Sequence, residues 1–520
     1  MKKFITLFII ISLLISLKSN SQEKYWVFFK NKKETTFNPF EYFDAKAIER
    51  RIKYNIPLYD STDFPLNNDY INQVSKLCSG VTSQTRWFNG IAVWATKEQI
   101  ENIKSLHYVK SIVPITYQSY PCGQMYDTVL NENDKFLLLK QIETMQGNLF
   151  IDSGFTGKGI RIAVFDGGFP TVNTSPVFEH IRKENRIIKT YDFAHKKENV
   201  YGYMSHGTYV LSCIAGIIND KRIGLATDAE FLLAKTEIVK EPFSEEENWL
   251  AAVEWADKNG ADIISSSLGY TDKRYFYEDM DGHTTLVTKA GNMAAAKGIL
   301  VINSAGNEGT DDWKHIGAPA DADSVLSVGG IDPYTEYHID FSSYGPTYDK
   351  RLKPNVSACA FVLAAGKNKL VTVQGTSFSC PLVSGFAACA WQTNPSLSNM
   401  ELFKEIEKSA SLYPYFDYAH GYGIPQASYF FNKDTSSVKE TFFIEKQNGV
   451  LNIKTKPEFI DPNSKKYLYY NIKNEKGFIE YYAVIQVYQE NIKSIYINND
   501  LKNKTLTIHY RGYTKEISLN

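Results

Sequence analysis

Six cysteines in 520 residues are too few to build a disulfide scaffold, so the fold must rest on apolar packing. Neither sign of charge dominates, with 57 Lys and Arg against 58 Asp and Glu. That balance supplies no basic face, and neither nucleic acid nor an anionic membrane is expected as a partner. Long apolar runs are missing too. The longest, Phe4 to Leu17, has 14 residues, short of the roughly 20 that span a bilayer. Internal repeats and low-complexity linkers are also absent, which leaves a globular chain with room for about three domains.

What is present starts with Met1-Lys2-Lys3, the apolar run and the polar "KSNSQEK". This order is that of a secretory signal peptide, so residues 1–22 are expected to be removed on export, leaving no membrane span. From Lys24 to about Gln118 the pattern is small and mixed. "KYWVFF", "FNGIAVWA" and "YVKSIVPI" read as strands and "TKEQIENIKSL" as a helix opened by Thr96. From Ile160 to about Gln426, short apolar strands such as "RIAVFD", "EFLLAKT", "ADIISSS" and "GILVINSAG" alternate with helical stretches. Such alternation predicts a parallel sheet covered on both faces, with its site at the carboxyl ends of the strands. After about Ser436, "GVLNIKTK", "KYLYYNIK" and "FIEYYAVIQVY" alternate apolar and polar residues, which predicts an antiparallel β sandwich.

Several residues could carry chemistry. The stretch "GTSFSCP" places Ser377, Ser379 and Cys380 within four residues, and each is a candidate nucleophile. Pro381 is tolerated near a helix start but not in its interior, so a helix is expected to begin at or just before Ser377. A hydroxyl there faces free backbone N–H groups; it is also where a simple N-cap serine would stand. His206 opens "HGTYVLSCIAG" at another helix start, a position equally open to a surface histidine. Asp166 ends the strand "RIAVF", where a carboxylate can orient another group or merely cap a turn. Asn307, between glycines in "SAGNEG", can aim its amide at an oxyanion or serve as a turn residue.

The order Asp166, His206, Asn307, Ser377 narrows these readings. "AVFDGGF", "SHGTYVLSCIAG", "SSSLGY", "SAGNEG" and "GTSFSCPLVSG" resemble the motifs of subtilisin-like serine proteases, the subtilases, over about residues 155–427. The resemblance implies a secreted serine endopeptidase with Ser377 as nucleophile, His206 as general base, Asp166 as its orienting partner and Asn307 as oxyanion donor. It further implies that Ser267, Leu268 and Gly269 form the strand that pairs with extended substrate, and that Ser304, Ala305 and Gly306 form the facing wall. No cofactor is implied for catalysis; structural calcium is allowed, without a ligand set. A protein or peptide substrate and a monomeric enzyme are expected.

The fold class implied is α/β: a subtilisin-like core of parallel β-sheet flanked by helices, a small α+β propeptide domain and a C-terminal all-β sandwich. The corresponding ranges are residues 1–22 for the signal peptide, 23–118 for the propeptide, 119–435 for the peptidase and 436–520 for the accessory domain. "WFNGIAVWATKEQIENIKSLHYVKSIVPI" resembles the end of a subtilase propeptide, which implies an intramolecular inhibitor and self-cleavage between about Ile112 and Leu137.

Three departures stand out: Gly167 where Ser or Thr is usual, Tyr209 in place of a second histidine, and "SACA" at Ser357–Ala360. None removes a candidate catalytic group. A peptide-binding relative without activity is the alternative function. Cys380 is expected to pack as a small hydrophobe, with a bridge to Cys213 as a further expectation.

Overall fold

The structure, a computed structural model, describes residues 22–115, 124–126, 132–238, 245–271, 274–366, 370–431, 438–460, 466–487, 492–496 and 499–519. Residues 1–21 of the expected signal segment, and part of the expected cleavage region, lie outside them. The chain divides into two compact units, Met1–Tyr42 with Pro57–Gln118, and Phe43–Ile56 with Ser119–Asn520.

In chain order, β1 (Glu23–Phe29) is followed by α1 (Ala45–Lys53), α2 (Asn68–Leu77), β2 (Gly80–Thr85), β3 (Gly90–Ala95), α3 (Lys97–Lys104) and β4 (Val109–Pro114). The first unit is a four-stranded sheet of order β2-β3-β1-β4, antiparallel where β1 meets β3 and β4 and where β2 meets β3. The expected start of α3 is realised as a reciprocal cap. Thr96 Oγ1 accepts from Gln99 N at 3.3 Å, and Gln99 Oε1 accepts from Thr96 N at 2.9 Å. Val27, Ile91, Val93 and Ile103 lie in its core.

The second unit continues with β5 (Gln124–Tyr126), α4 (Glu132–Glu143), β6 (Arg161–Asp166), β7 (Ile187–Asp192), α5 (His206–Ala215), β8 (Glu230–Lys235), α6 (Glu245–Lys258), β9 (Ile263–Ser266), α7 (Leu286–Ala296), β10 (Leu300–Ser304), β11 (Val325–Ile331) and β12 (Val356–Cys359). A seven-stranded sheet runs in the order β12-β11-β10-β9-β6-β8-β7, parallel throughout. All six residues of β6 are buried, which explains why such strands read as unbroken apolar runs. Next come the hairpin β13 (Phe361–Ala365) and β14 (Leu370–Gln374), then α8 (Thr376–Thr393) and α9 (Asn399–Ser409). β14 also pairs antiparallel with β5.

The last strands are β15 (Phe442–Gln447), β16 (Val450–Thr455), β17 (Lys466–Lys473), β18 (Ile479–Val487), β19 (Ile492–Tyr496), β20 (Thr505–Tyr510) and β21 (Tyr513–Ser518). They form two antiparallel sheets, β15-β16-β19 and β18-β17-β20-β21, which share one core including Leu451, Ile453, Leu468, Leu506 and Ile508. Among the described residues no helix is long and apolar enough to cross a membrane.

Candidate active site

The carboxyl ends of β6, β9 and β10 and the first turns of α5 and α8 bring the candidate residues together in pairs. Asp166 is the last residue of β6 and its carboxylate is fully buried. One of its oxygens accepts from the Gly167 N–H at 2.7 Å. Both lie 2.9 Å from His206 Nδ1, on the first residue of α5. A carboxylate only accepts, so the Nδ1 proton points at Asp166 and Nε2 is left as the ring's basic nitrogen. Gly207 permits this approach, since a Cβ there would stand 2.4 Å from Gly168 O and 2.9 Å from Asp166 Cβ.

Ser377 is the second residue of α8, as the position of Pro381 led one to expect. Its hydroxyl donates to Ser267 O at 3.3 Å, and the Ser267 hydroxyl donates back to Ser377 O at 2.8 Å. The neighbouring Phe378 ring lies 5.3 Å from the His206 imidazole, linking the serine and histidine helices.

Asn307 is held by a residue that sequence reasoning did not single out. Its Oδ1 accepts from Thr376 N at 2.8 Å and from the Thr376 hydroxyl at 3.0 Å. With the oxygen end occupied, the Nδ2 end is the one available for an outside acceptor. Thr376 Oγ1 also lies 3.1 Å from Gly306 O and accepts from Gly306 N at 3.3 Å, so it ties the Ser304–Gly306 segment to the start of α8.

Asn303, in the apolar strand β10, was likewise missed. Its Nδ2 donates to both Leu268 O and Ser304 O at 2.8 Å, so one amide spaces the two expected walls of the substrate cleft. Its signal in the sequence is a lone amide in "LVINS". Gly269 follows Leu268 with nothing within 4 Å of where a Cβ would stand. Beyond it, Tyr270 and Ala318 exchange backbone hydrogen bonds of 2.9 and 3.0 Å, which fixes the far end of the strand.

The other two candidate nucleophiles are occupied elsewhere. Ser379 Oγ donates to Cys359 O at 3.2 Å. Cys380 Sγ sits 3.5 Å from both Ser266 O and Ile302 O, and burial pushes its thiol up to about 12. The expected Cys213–Cys380 bridge is not formed, and both thiols are free. Cys380 is turned against the sheet carbonyls, while Cys213 is buried on α5, its thiol also raised to about 12. Among the described residues no group of three or more His, Cys, Asp or Glu side chains could hold a metal ion.

Residues 157–423 match the Subtilase family, and residues 24–125 match the Peptidase S8 propeptide domain of Bacteroidota. The chain belongs to the subtilase family. It is thereby a subtilisin-like hydrolase with a subtilase propeptide domain. Serine protease AprX of Bacillus subtilis (strain 168) is 28% identical over 324 residues, 56% of this chain and 70% of that protein. Alkaline elastase YaB of Bacillus sp. (strain YaB) is 29% identical over 272 residues, 52% of this chain and 64% of that protein. Subtilisin DY of Bacillus licheniformis is 27% identical over 260 residues, 50% of this chain and 86% of that protein.

The departures from the subtilase pattern have local causes. A Cβ on Gly167 would stand 2.8 Å from Met204 Cε and 3.1 Å from Glu237 Oε2, so these side chains fill the space a Ser or Thr would use. Tyr209 is buried in the core beside Val210 and Leu211. Ser357–Cys359 of "SACA" belong to β12, at the edge of the parallel sheet.

Proposed function

We propose that this subtilase is a secreted serine endopeptidase that acts through Asp166, His206 and Ser377. The observation that carries the reading is the pair of 2.9 Å contacts from His206 Nδ1 to both Asp166 oxygens. With Nδ1–H committed, Nε2 takes the Ser377 hydroxyl proton as Oγ attacks the scissile carbonyl. The tetrahedral oxyanion is met by Asn307 Nδ2 and the Ser377 N–H. Nε2 then gives the proton to the leaving amine, and an acyl-enzyme forms on Oγ. A water deprotonated by the same nitrogen releases the acyl group. Substrate lies extended along Ser267–Gly269, with Ser304–Gly306 opposite. No cofactor takes part.

In this reading residues 1–22 direct export and residues 23–118 act as an intramolecular inhibitor, cut away between about Ile112 and Leu137. Residues 119–435 form a monomeric peptidase, and residues 436–520 form its accessory domain. Labelling with a serine-directed phosphonate tests it. One label per processed chain, on Ser377 and lost in Ser377→Ala, is expected. Processed protein that takes up no label would be a peptide binder instead.

A further inference from the structure

Residues Phe43–Ile56 lie within the stretch that matches the propeptide family, yet they fold as part of the second unit. Their helix, α1 (Ala45–Lys53), carries Arg50 and Arg51, each with a side chain only 1% exposed. Both guanidinium groups close on one carboxylate, Asp257. Arg50 Nη2 holds its Oδ1, and Arg51 Nη2 holds its Oδ2 at 2.7 Å.

Asp257 stands in the last turn of α6 (Glu245–Lys258), itself only 1% exposed. A buried carboxylate at the negative end of a helix is doubly unfavourable without a cation. The peptidase unit draws both of the cations bonded to it from the N-terminal segment. The same segment satisfies carbonyls at the ends of two helices. Asp44 N–H donates to Lys258 O at 2.8 Å, and Arg50 Nε donates to Lys297 O, just past α7, at 3.0 Å. Arg50 Nη1 takes Ala261 O as well. Lys46 pairs with Asp262 at 3.0 Å and donates to Gly159 O at 2.6 Å.

The peptidase side is shaped to receive the segment. A Cβ on Gly260 would stand 2.8 Å from Lys46 Cβ, and one on Gly298 would stand 2.8 Å from Ile56 Cδ1. The Tyr54 ring stacks 6.4 Å from that of Trp391, near the end of α8, the helix that begins beside Ser377.

We propose that the peptidase unit carries a dedicated receptor for its own segment Phe43–Ile56, centred on Asp257, and retains this segment after the chain is cut downstream. The segment is then a standing part of the enzyme that braces α6, α7 and α8. The rest of the N-terminal domain leaves only when the chain is cut again on either side of it or when the receptor lets go. Retention after the cut rests on the self-processing reading; the receptor itself does not.

Hydrogen exchange on full-length Ser377→Ala protein tests the receptor without any processing. Amides of α1 are expected to exchange as slowly as those of α6. Exchange of α1 in step with β1, while α6 stays protected, would overturn the receptor. Asp257→Asn should speed α1 exchange at least about tenfold and leave β1 unchanged. If that variant fails to fold, Tyr54→Ala removes the ring that stacks on Trp391 while leaving Arg50, Arg51 and Asp257 in place, and it gives the same readout; unchanged α1 exchange in a folded variant counts against the receptor. Gel filtration of processed wild-type protein in about 0.5 M salt then tests retention, since screening at that ionic strength spares buried pairs. A fragment containing residues 43–56 should co-elute with the peptidase. A peptidase that elutes without it and melts at the same temperature overturns retention, whereas a chain that is never cut refutes self-processing and leaves the exchange result to decide the receptor.

Discussion

The Ser267 hydroxyl donates to the carbonyl oxygen of Ser377 across 2.8 Å, and it does so where Pro381 leaves that carbonyl without its helical partner. In a regular helix the amide of residue 381 would bond the carbonyl of residue 377. Proline has no N–H, so the substrate strand supplies the donor instead and is fastened to the first turn of α8. One wall of the cleft is thus held by the backbone of the candidate nucleophile.

Removing that donor leaves a buried carbonyl unpaired. Ser267→Ala should cost about 1–3 kcal/mol in denaturant melts and lower kcat more than it raises KM. Pro381→Ala restores a helical N–H to Ser377 O, so the Ser267→Ala loss should shrink by about 1 kcal/mol in the double variant. Strict additivity of the two changes would show that the carbonyl does not link them.

Asn307→Leu should lower kcat by about 10²–10³, the size of loss known for one oxyanion donor in a subtilisin, with KM little changed. Thr376→Val keeps the Thr376 N–H to Asn307 Oδ1 but loses the hydroxyl contact at 3.0 Å. A smaller fall in kcat, about tenfold, is expected because the amide is then less firmly oriented. Steady-state kinetics on a peptide substrate measures both, and an unchanged rate for Asn307→Leu removes it from the mechanism.

The residues legible in the sequence were those whose role is set by neighbours along the chain. Asp166 ends an apolar strand, His206 and Ser377 open helices, and Thr96 with Gln99 forms a cap within four residues. What stayed hidden depends on partners far away in sequence. Asn303 looks like a flaw in an apolar strand until Leu268 O is placed beside it, and Thr376 looks like filler until Asn307 Oδ1 reaches it. The strand order β12-β11-β10-β9-β6-β8-β7 is hidden for the same reason, since the alternation of strands and helices does not choose neighbours. The Cys213–Cys380 expectation failed for the same reason: the Cys380 thiol sits against Ser266 O and Ile302 O, partners that the sequence does not place beside it.

Acid should destabilise the protein through two buried imidazoles. Burial lowers His338 from its ordinary value of 6.5 to about 3 and His509 from the same value to about 4. Both are neutral when folded and free to take a proton once unfolded, so acid favours the unfolded state. Stability is whole above about pH 6.5 and falls as pH drops toward 4, by on the order of 1–3 kcal/mol for each imidazole. Denaturant melts between pH 7 and 4 measure the slope. His509→Gln should flatten it, and an equal slope in that variant would clear His509 of the effect.

Thiol reagents should leave activity intact. Burial raises the Cys213, Cys359 and Cys380 thiols to about 12, so almost no thiolate is present at neutral pH. Iodoacetamide on native enzyme should not reduce turnover, while denatured, unreduced protein should yield labelled Cys213 and Cys380. Loss of activity on native alkylation would return Cys380 to the list of nucleophiles.

The C-terminal sheets should prove necessary to the stability of the peptidase rather than a tail that can be shed. The segment Ser411–Tyr422 of the peptidase presents a row of aromatic side chains to them. Leu412 and Tyr415 are buried with Tyr469 of β17, and Phe416 and Tyr418 with Ile479 of β18. Asn471 Nδ2 donates to Phe416 O at 2.7 Å. Ending the chain at residue 437 would strip all of this cover, and each large apolar side chain so exposed costs about 1.5–3 kcal/mol. A steep fall in melting temperature, or insoluble protein, is therefore expected of the truncated chain. Asn471→Leu, which leaves the fold complete and one buried carbonyl unpaired, should cost about 1–3 kcal/mol. A truncated chain that melts with the full-length protein would instead make the β sheets a separable appendage.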